Sequence, residues 1–191
     1  MSAGFFSTKL DRQSKKLIDG LASKEVLKLK KTISDIGKNY RRNRSKMFSG
    51  AQKRDQNLAW KPLNPLTIEF KKRKFGSNKG TLIGSGRLAR SIIREGSEGN
   101  ISKVSDFEGE FGTNVFYAKF HFTGLPNRRV KSARQSAFLR ANLGLFKKVG
   151  DKIPLPKRDP ISPNKSERKT YGEILKQGII RNLKAIGIEV T

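Results

Sequence analysis

An apolar stripe with helical spacing runs through the first quarter of the chain and constrains its fold more than any other pattern. Its members recur at steps of three and four residues: Ile18, Ala22, Val26, Leu29, Ile33, Ile36 and Tyr40. This spacing places them on one face of an α-helix, with most of the nearby lysines and arginines off that face. Because Gly20 weakens a helix interior and Ser23 can cap one, we predict a short helix followed by a long one over about residues 24–48. A single bent helix is the alternative. Because the stripe covers only a few heptads, a core-facing helix is favoured over a coiled-coil seam.

Capping residues predict two shorter helices. Within a long polar stretch, Asn64 and Pro65 supply an N-cap and a first helical residue. Ser85 can likewise cap a helix that begins at Gly86 and stops at Gly96. The residues of this second helix that are predicted to face inward are Leu88, Ala89, Ile92 and Ile93.

The middle of the chain predicts a small sheet followed by a short helix. Residues 101–113 carry β-branched and aromatic side chains interrupted at Asp106 and Gly109, which is typical of one or two antiparallel strands with a turn or bulge. Residues 115–122 are rich in aromatic side chains and could form a strand or a helix. Their spacing favours the helix slightly.

A basic stretch follows the predicted sheet. Residues 126–150 contain seven lysines and arginines and no acidic residue, and we interpret them as an insertion with a helix over residues 133–146. Residues 153–156 include two prolines, which fits an edge strand or an extended segment because proline cannot donate a ladder hydrogen bond.

A C-terminal helix completes the predicted elements. It can begin at Ser162 with Pro163, or at a capping box formed by Thr170 and Glu173, and Gly187 is predicted to end it. Its apolar stripe consists of Leu175, Ile179, Leu183 and Ile186.

These elements define an α+β fold with a long N-terminal helix, a small antiparallel sheet, a C-terminal helix and long polar arms. A length of 191 residues suits a single domain with its own core. We divide it into an N-terminal helical segment (1–50), an extended arm or loop (51–84), a helix with the small sheet (85–124), the basic insertion (125–152), and an extended segment with the C-terminal helix (153–191).

The charge of the chain is its strongest functional constraint. Lysine and arginine number 42 against 16 acidic residues, which gives a net charge of +26 and a field that attracts polyanions. DNA, RNA, an acidic partner protein or an acidic patch on another copy could neutralise it. The chain has no cysteine, no apolar run of membrane-span length and no signal-peptide pattern in residues 1–9, so we expect a soluble, unprocessed protein without disulfides.

Site chemistry is sparse. His121 is the single histidine, so a zinc site would need carboxylates alone beside it and a Ser-His-Asp triad has only one possible base. We interpret His121 as a structural or interface residue. Gly84, Gly86 and Ala89 match a degenerate dinucleotide-binding pattern, but a basic linker stands where the pattern requires a buried strand. We therefore predict no catalytic, cofactor-binding or metal-binding residue.

Acidic residues gather in the predicted sheet region. They are Glu95, Glu98, Asp106, Glu108 and Glu110, with Lys103 as the one lysine among them. A head-to-tail ring could pair this acidic face of one subunit with a basic face of the next. The alternative is that both faces are solvated and balanced within one subunit.

Three stretches in fixed order resemble the tailed-phage virion-morphogenesis or tail-completion family. They are Trp60-Lys61-Pro62-Leu63, Gly84-Ser85-Gly86-Arg87-Leu88, and Gly112-Thr113-Asn114-Val115-Phe116-Tyr117-Ala118 running on to His121 and Gly124. An Ile153-Pro154 step and a helix ending near Gly187 complete the resemblance, which covers about residues 10–124 and 153–187. It departs at residues 126–150 and where Pro156-Lys157-Arg158-Asp159 replaces an arginine-proline-phenylalanine step.

The resemblance implies a structural virion protein without catalytic activity or cofactor. Such a protein forms a ring of its own copies, expected here as a hexamer, at the head-proximal end of the tail or in the neck. It completes the tail, as a tail terminator or neck protein, for joining to the head. Its partners would be tail tube or sheath and neck or connector proteins, with contact to genomic DNA and none to a membrane. It would be assembled in the host cytoplasm and reside in the virion.

Two sets of residues are candidates for these contacts. The assembly candidates are Trp60, Pro62, Leu63, Tyr117, His121, Glu108 and Glu110, with Trp60 either anchoring in a neighbour's pocket or packing on its own long helix. The polyanion-contact candidates are Lys71, Lys72, Arg73, Lys74, Arg128, Arg129, Lys131 and Arg134. The rival function is a basic nucleic-acid-binding protein, for example one that packages DNA or associates with ribosomes. A basic enzyme such as a nuclease is a more distant alternative.

Overall fold

The computed structural model describes residues 5–9, 27–49, 60, 62–76 and 80–185. Their helices and strands, in chain order, are β1 (Phe5–Lys9), α1 (Lys30–Ser49), α2 (Pro65–Phe75), α3 (Arg87–Ile93), β2 (Asn100–Val104), β3 (Glu108–Thr113), α4 (Ala118–Thr123), α5 (Ala133–Leu143) and α6 (Lys165–Ala185). The predicted α+β class, with a long N-terminal helix and a C-terminal helix, is confirmed.

The sheet has three antiparallel strands in the order β1-β3-β2, so the strand nearest the N-terminus was missed by the sequence analysis. Phe111 in the central strand pairs with Phe6 on one side and with Ser102 on the other. The expected break at Gly109 is wrong, because Gly109 lies within β3. A Cβ atom there would lie 2.5 Å from Cγ2 of Ile33, so glycine lets α1 approach the sheet closely.

Helix α1 forms the centre of the core. Its stripe is confirmed by the burial of Leu29, Ile33, Ile36 and Tyr40, although the earlier members of the stripe lie outside the described residues. The helix begins at Lys30, not near residue 24, since residues 27–29 are not helical. It packs against α3, α6 and the sheet, with the Phe111 ring 6.1 Å from the Tyr40 ring.

The predicted N-cap of α2 is confirmed. Asn64 accepts a hydrogen bond at 2.9 Å from the backbone N–H of Leu66, and Pro65 occupies the first helical position. Gly76 ends the helix in the left-handed conformation at φ 73°. The polar stretch of residues 51–84 therefore contains an ordered helix.

Replacing Asn64 with alanine is expected to destabilise α2 by about 1 kcal/mol, because the cap hydrogen bond is lost. Amide hydrogen exchange of the peptide covering α2 should become about fivefold faster. Asn64→Asp retains the acceptor oxygen and should exchange like the wild type. Equal exchange rates for the alanine variant and the wild type would contradict this assignment of the cap.

Three further helix boundaries differ slightly from the sequence prediction. Helix α3 begins at Arg87 with Gly86 at φ 82° in the cap position, and it ends at Ile93, ahead of Gly96. Its predicted inward residues Leu88, Ala89 and Ile92 are buried, and Ile93 is half-buried. The predicted helix after the sheet is confirmed as α4, and α5 ends at Leu143 with Gly144 as its cap, earlier than predicted. Leu155 pairs with Leu125 in an isolated bridge, in agreement with the extended segment expected there.

Helix α6 begins one residue after a cap that the sequence analysis did not identify. The side chain of Asn164 accepts from the backbone N–H of Glu167 at 2.7 Å, and the Glu167 carboxylate accepts from the backbone N–H of Asn164 at 2.8 Å. This reciprocal pair is a capping box, so both predicted starts, at Ser162 and at Thr170, are wrong. Leu183 is buried and Leu175 and Ile179 are half-buried, whereas Ile186 and Gly187 lie outside the described residues.

Among the described residues, no helix combines the length and the apolar character needed to cross a membrane.

Candidate assembly and polyanion-binding surfaces

Helices α2 and α5, which carry residues of the two basic clusters, pack against each other. The ring of Phe70 on α2 meets the ring of Phe138 on α5 edge-on at 6.0 Å, and Arg73 donates a hydrogen bond at 2.7 Å to the carbonyl of Asn142, 69 residues away in sequence. We call the seven predicted polyanion-contact residues that are exposed the basic surface; they are Lys72, Arg73, Lys74, Arg128, Arg129, Lys131 and Arg134. The contacts between the two helices place residues 72–74 beside the C-terminal end of α5, whereas Arg134 lies at its N-terminal end, about 12 Å from Asn142 along the helix axis.

Lys71 differs from the other polyanion candidates. It is 6% exposed, and its ammonium group donates to the carbonyl of Gly80. Four consecutive helical residues point in directions about 100° apart, so one of them must turn toward the protein. Arg129 is exposed and donates to the carbonyl of Gly150 at 2.7 Å. Because its side chain is buried, Lys71 does not belong to the basic surface.

The acidic residues of the sheet region are engaged within the subunit. Three of them form ion pairs: Glu95 with Arg41 at 2.9 Å, Glu98 with Arg87 at 2.5 Å, and Glu110 with Lys103 at 3.1 Å. Asp106 accepts from the backbone N–H of Lys30 at 3.2 Å. These contacts favour the alternative in which the acidic face is balanced inside one subunit, although exposed pairs of this kind contribute only about 0–1 kcal/mol each.

Trp60 packs on its own subunit. Its indole meets the ring of Phe48 at the end of α1 edge-on at 5.7 Å, and its Nε1 donates to the carbonyl of Asp159 at 3.2 Å. Of the two roles considered for Trp60, packing against its own long helix is the one seen here. The following residues, Pro62 and Leu63, lead from Trp60 into a groove.

This apolar groove, of about 860 Å³, lies between α2, residues 80–84, α4 and residues 154–158. Its apolar lining includes Leu63, Phe75, Leu82, Ile83 and Leu155. It unites three of the predicted assembly residues, since Pro62, Leu63 and His121 all line it.

Two buried cationic side chains line the apolar groove. Arg158, 7% exposed, donates to the carbonyl of Pro62 at 3.3 Å, and Lys71 lies nearby. Burial lowers the pKa of Lys71 and of His121, and the charge of Arg158 lowers both further. Burial also lowers the pKa of Arg158 itself. The sequence analysis missed Arg158, which it noted only as a departure from the family pattern.

The remaining assembly candidates are scattered. Tyr117 contacts the His121 ring at 6.5 Å and the exposed Phe116 ring at 5.5 Å, both edge-on. Glu108 and Glu110 lie on β3, which packs along residues 33–40 of α1, whereas Trp60 contacts Phe48 near the C-terminal end of that helix. The structure therefore does not assemble all seven candidates into one surface.

The glycine pattern considered for dinucleotide binding has no supporting strand among the described residues. Residues 80–83 form a turn, Gly86 caps a helix, and Gly84 lies beside the Phe75 ring. In the described part of the chain, no group of three or more histidine, cysteine, aspartate or glutamate side chains is arranged to hold a metal ion.

Comparison with known families matches residues 10–179 to the phage virion morphogenesis family. The match begins just after β1, includes α1, strands β2 and β3, the basic surface and the groove, and ends within α6. The chain belongs to this family of phage virion structural and assembly proteins. No curated protein and no solved structure matches the chain significantly.

Proposed function

We propose that the protein completes the phage tail. Copies of the chain form a ring, a hexamer, at the head-proximal end of the tail or in the neck, and this ring prepares the tail for joining to the head. The observation that carries the proposal is the family match over residues 10–179. The protein has no catalytic role in this scheme, and it works by binding neighbouring proteins.

The proposed setting explains the unusual charge. A ring between a DNA-filled head and a tail stands next to a polyanion and next to other protein rings, so a chain of net charge +26 is attracted to the DNA and to acidic surfaces of those rings. The basic surface supplies the groups for this contact. Tail tube or sheath proteins and neck or connector proteins are the proposed neighbours, and the virion, assembled in the host cytoplasm, is the proposed location.

The direct test is a phage in which the gene is disrupted. Electron microscopy of the lysate should show full heads and separate tails, and the gene supplied in trans should restore joined particles. Mass measurement of the purified protein in moderate salt should show a ring. Joined, infectious particles in the absence of the protein would refute the proposal.

A nucleic-acid-binding function is the second candidate, and the exposed cations of the basic surface favour it specifically. The size and mass of the purified protein, measured with and without DNA, distinguish the two functions. A ring that resists salt supports tail completion. A monomer that binds DNA or RNA with steep salt dependence supports the rival.

Removing four cations from the basic surface is expected to reduce the salt dependence of DNA binding. For Lys72, Lys74, Lys131 and Arg134 changed to alanine, the slope of log K against log salt should fall by about one per lost phosphate contact. The control changes Lys165, Lys169, Lys176 and Lys184 on α6, which alters net charge equally. Identical slopes for both sets would show that net charge, and not this surface, governs DNA binding.

A further inference from the structure

The turn between β2 and β3 exposes an aromatic side chain. Phe107 stands in this turn and is 52% exposed, with a carboxylate on each side of it at Asp106 and Glu108. The hydroxyl of Ser105 holds the turn, since it accepts from the backbone N–H groups of Phe107 and Glu108 at 3.3 and 3.0 Å. We call residues 105–108 the hairpin tip. An exposed aromatic ring on an ordered turn is the kind of side chain that anchors protein interfaces.

The apolar groove complements the hairpin tip in chemistry and in size. Its lining combines apolar side chains with three cations, Lys71, Lys157 and Arg158. No acidic side chain is among the described residues that line it. Its volume of about 860 Å³ is in the range of pockets that enclose a drug-sized molecule, so an aromatic ring with its flanking side chains can enter it. The groove therefore suits an aromatic residue that is flanked by acids.

Contacts within the subunit leave these charged groups able to bind further partners. Asp106 accepts from the backbone N–H of Lys30 at 3.2 Å, but a carboxylate has about four acceptor sites. The ammonium group of Lys71 donates to the carbonyl of Gly80, but it carries three donors, and Lys157 is exposed. The charge complementarity of tip and groove therefore does not require any of these groups to be unpaired within its own subunit.

The hairpin tip and the groove lie near opposite ends of α1. Asp106 contacts Lys30, the first residue of that helix. Phe48, in the last turn, packs on Trp60, and Pro62 two residues further on lines the groove. At a rise of 1.5 Å per residue, Lys30 and Phe48 are about 27 Å apart along the helix, so the tip of one copy does not reach its own groove. Complementary surfaces at opposite ends of a subunit give head-to-tail contacts, which form a ring when the rotation between copies closes.

We propose that the hairpin tip of one copy binds in the apolar groove of the next copy, with Phe107 against the apolar lining and the two flanking carboxylates near the cations. The proposal rests on the proposed function, which supplies a ring of copies, and it specifies the contact that holds the ring together. It also shows how copies with a net charge of +26 can associate, because opposite charges meet where they touch. The pairs formed by Glu95, Glu98 and Glu110 stay within their own subunit.

Crosslinking of the purified full-length protein tests this contact directly. A photoreactive phenylalanine analogue replaces Phe107, or replaces Phe146 as a matched control, because Phe146 is 76% exposed on the basic insertion. After irradiation, position 107 should give a covalent dimer whose crosslinked peptide, identified by mass spectrometry, comes from the groove lining. Position 146 should not give this peptide. A crosslink from position 107 to another part of the second copy, no covalent dimer, or the same groove peptide from both positions would overturn the inference.

The same preparation separates failure of the inference from failure of the proposed function. A ring that is seen by native mass measurement but gives no groove crosslink from position 107 refutes the contact between tip and groove and leaves tail completion standing. A protein that stays monomeric, and whose loss leaves joined, infectious particles, refutes both.

Truncation of the aromatic ring provides a second test. Phe107→Ala removes the proposed anchor, so the dissociation constant between copies should rise about thirtyfold or more, the effect of losing a contact of ~2 kcal/mol. Phe146→Ala removes another exposed ring and should leave that constant unchanged. Analytical ultracentrifugation over a range of concentrations measures the association, and circular dichroism checks that both variants fold. Equal dissociation constants for the two variants would refute the proposal.

Discussion

Replacing Glu167 with alanine is expected to lower the free energy of unfolding by about 3–5 kcal/mol, the typical cost of breaking a buried ion pair. Glu167 is 5% exposed, and its carboxylate accepts from Nη2 of Arg44, which is 0% exposed. The substitution leaves the guanidinium group buried in the core without its carboxylate. It also removes one half of the capping box that begins α6.

The pair joins three parts of the fold. Arg44 lies on α1, Glu167 lies on α6, and Nη1 of Arg44 donates at 2.9 Å to the carbonyl of Ser162 in the connecting turn. The guanidinium group also stacks 5.3 Å from the centre of the Tyr40 ring. Burial raises the pKa of the neighbouring Tyr171 to about 12, so its phenol stays neutral at physiological pH. Because the Arg44–Glu167 pair connects α1 to α6, loss of the carboxylate should loosen α6 from α1.

Urea unfolding followed by circular dichroism measures this effect. Glu173→Ala, which removes an exposed acid from the same helix, is the control and should change stability by less than about 0.5 kcal/mol. Glu167→Gln keeps an acceptor for the cap and separates the charge from the hydrogen bond. If Glu167→Ala were as stable as Glu173→Ala, the pair would have no structural importance.

The sequence predicted the elements that are specified by residues close together in the chain. Asn64 followed by Pro65 specifies a helix start by its own chemistry, and the stripe from Leu29 to Tyr40 specifies a buried face by its spacing. The start of α6 was missed because Asn164 and Glu167 form a less familiar version of the serine or threonine capping box. Strand β1 was missed because it pairs with β3 about 100 residues further along the chain and has no local signal.

The candidate sites were harder to predict, because they depend on which distant segments meet. Pro62, Leu63 and His121 were singled out from a family resemblance, but their common groove needs α2, α4 and residues 154–158 side by side. Segregation of acidic residues in the sequence suggested an acidic face. Side chains of α1 and α3 reach those acids in the fold and pair with them, as Arg41 does with Glu95. Composition along a chain does not determine the charge of a surface.

Replacing Gly178 with alanine is expected to destabilise the protein by about 2 kcal/mol, although alanine is the better helix former by ~1 kcal/mol. Gly178 lies on α6 where that helix crosses α1, and a Cβ atom there would lie only 2.8 Å from Cβ of Thr32, with Oγ1 and Cγ2 of Thr32 closer still. A change of rotamer cannot move a Cβ atom, so the two helices must separate. Their separation also weakens the 3.0 Å hydrogen bond from Arg181 to Thr32.

Gly172 on the same helix provides a matched control, since a Cβ atom added there meets nothing within 4 Å. Gly172→Ala should stabilise the protein by up to ~1 kcal/mol through helix propensity alone. The opposite signs of the two changes, measured by urea unfolding, isolate the close approach of α6 to α1. Adding Thr32→Ala to Gly178→Ala should recover part of the loss, because contacting residues couple by about 0.5–3 kcal/mol. Stabilisation by both glycine substitutions would show that α6 does not pack on α1 at Gly178.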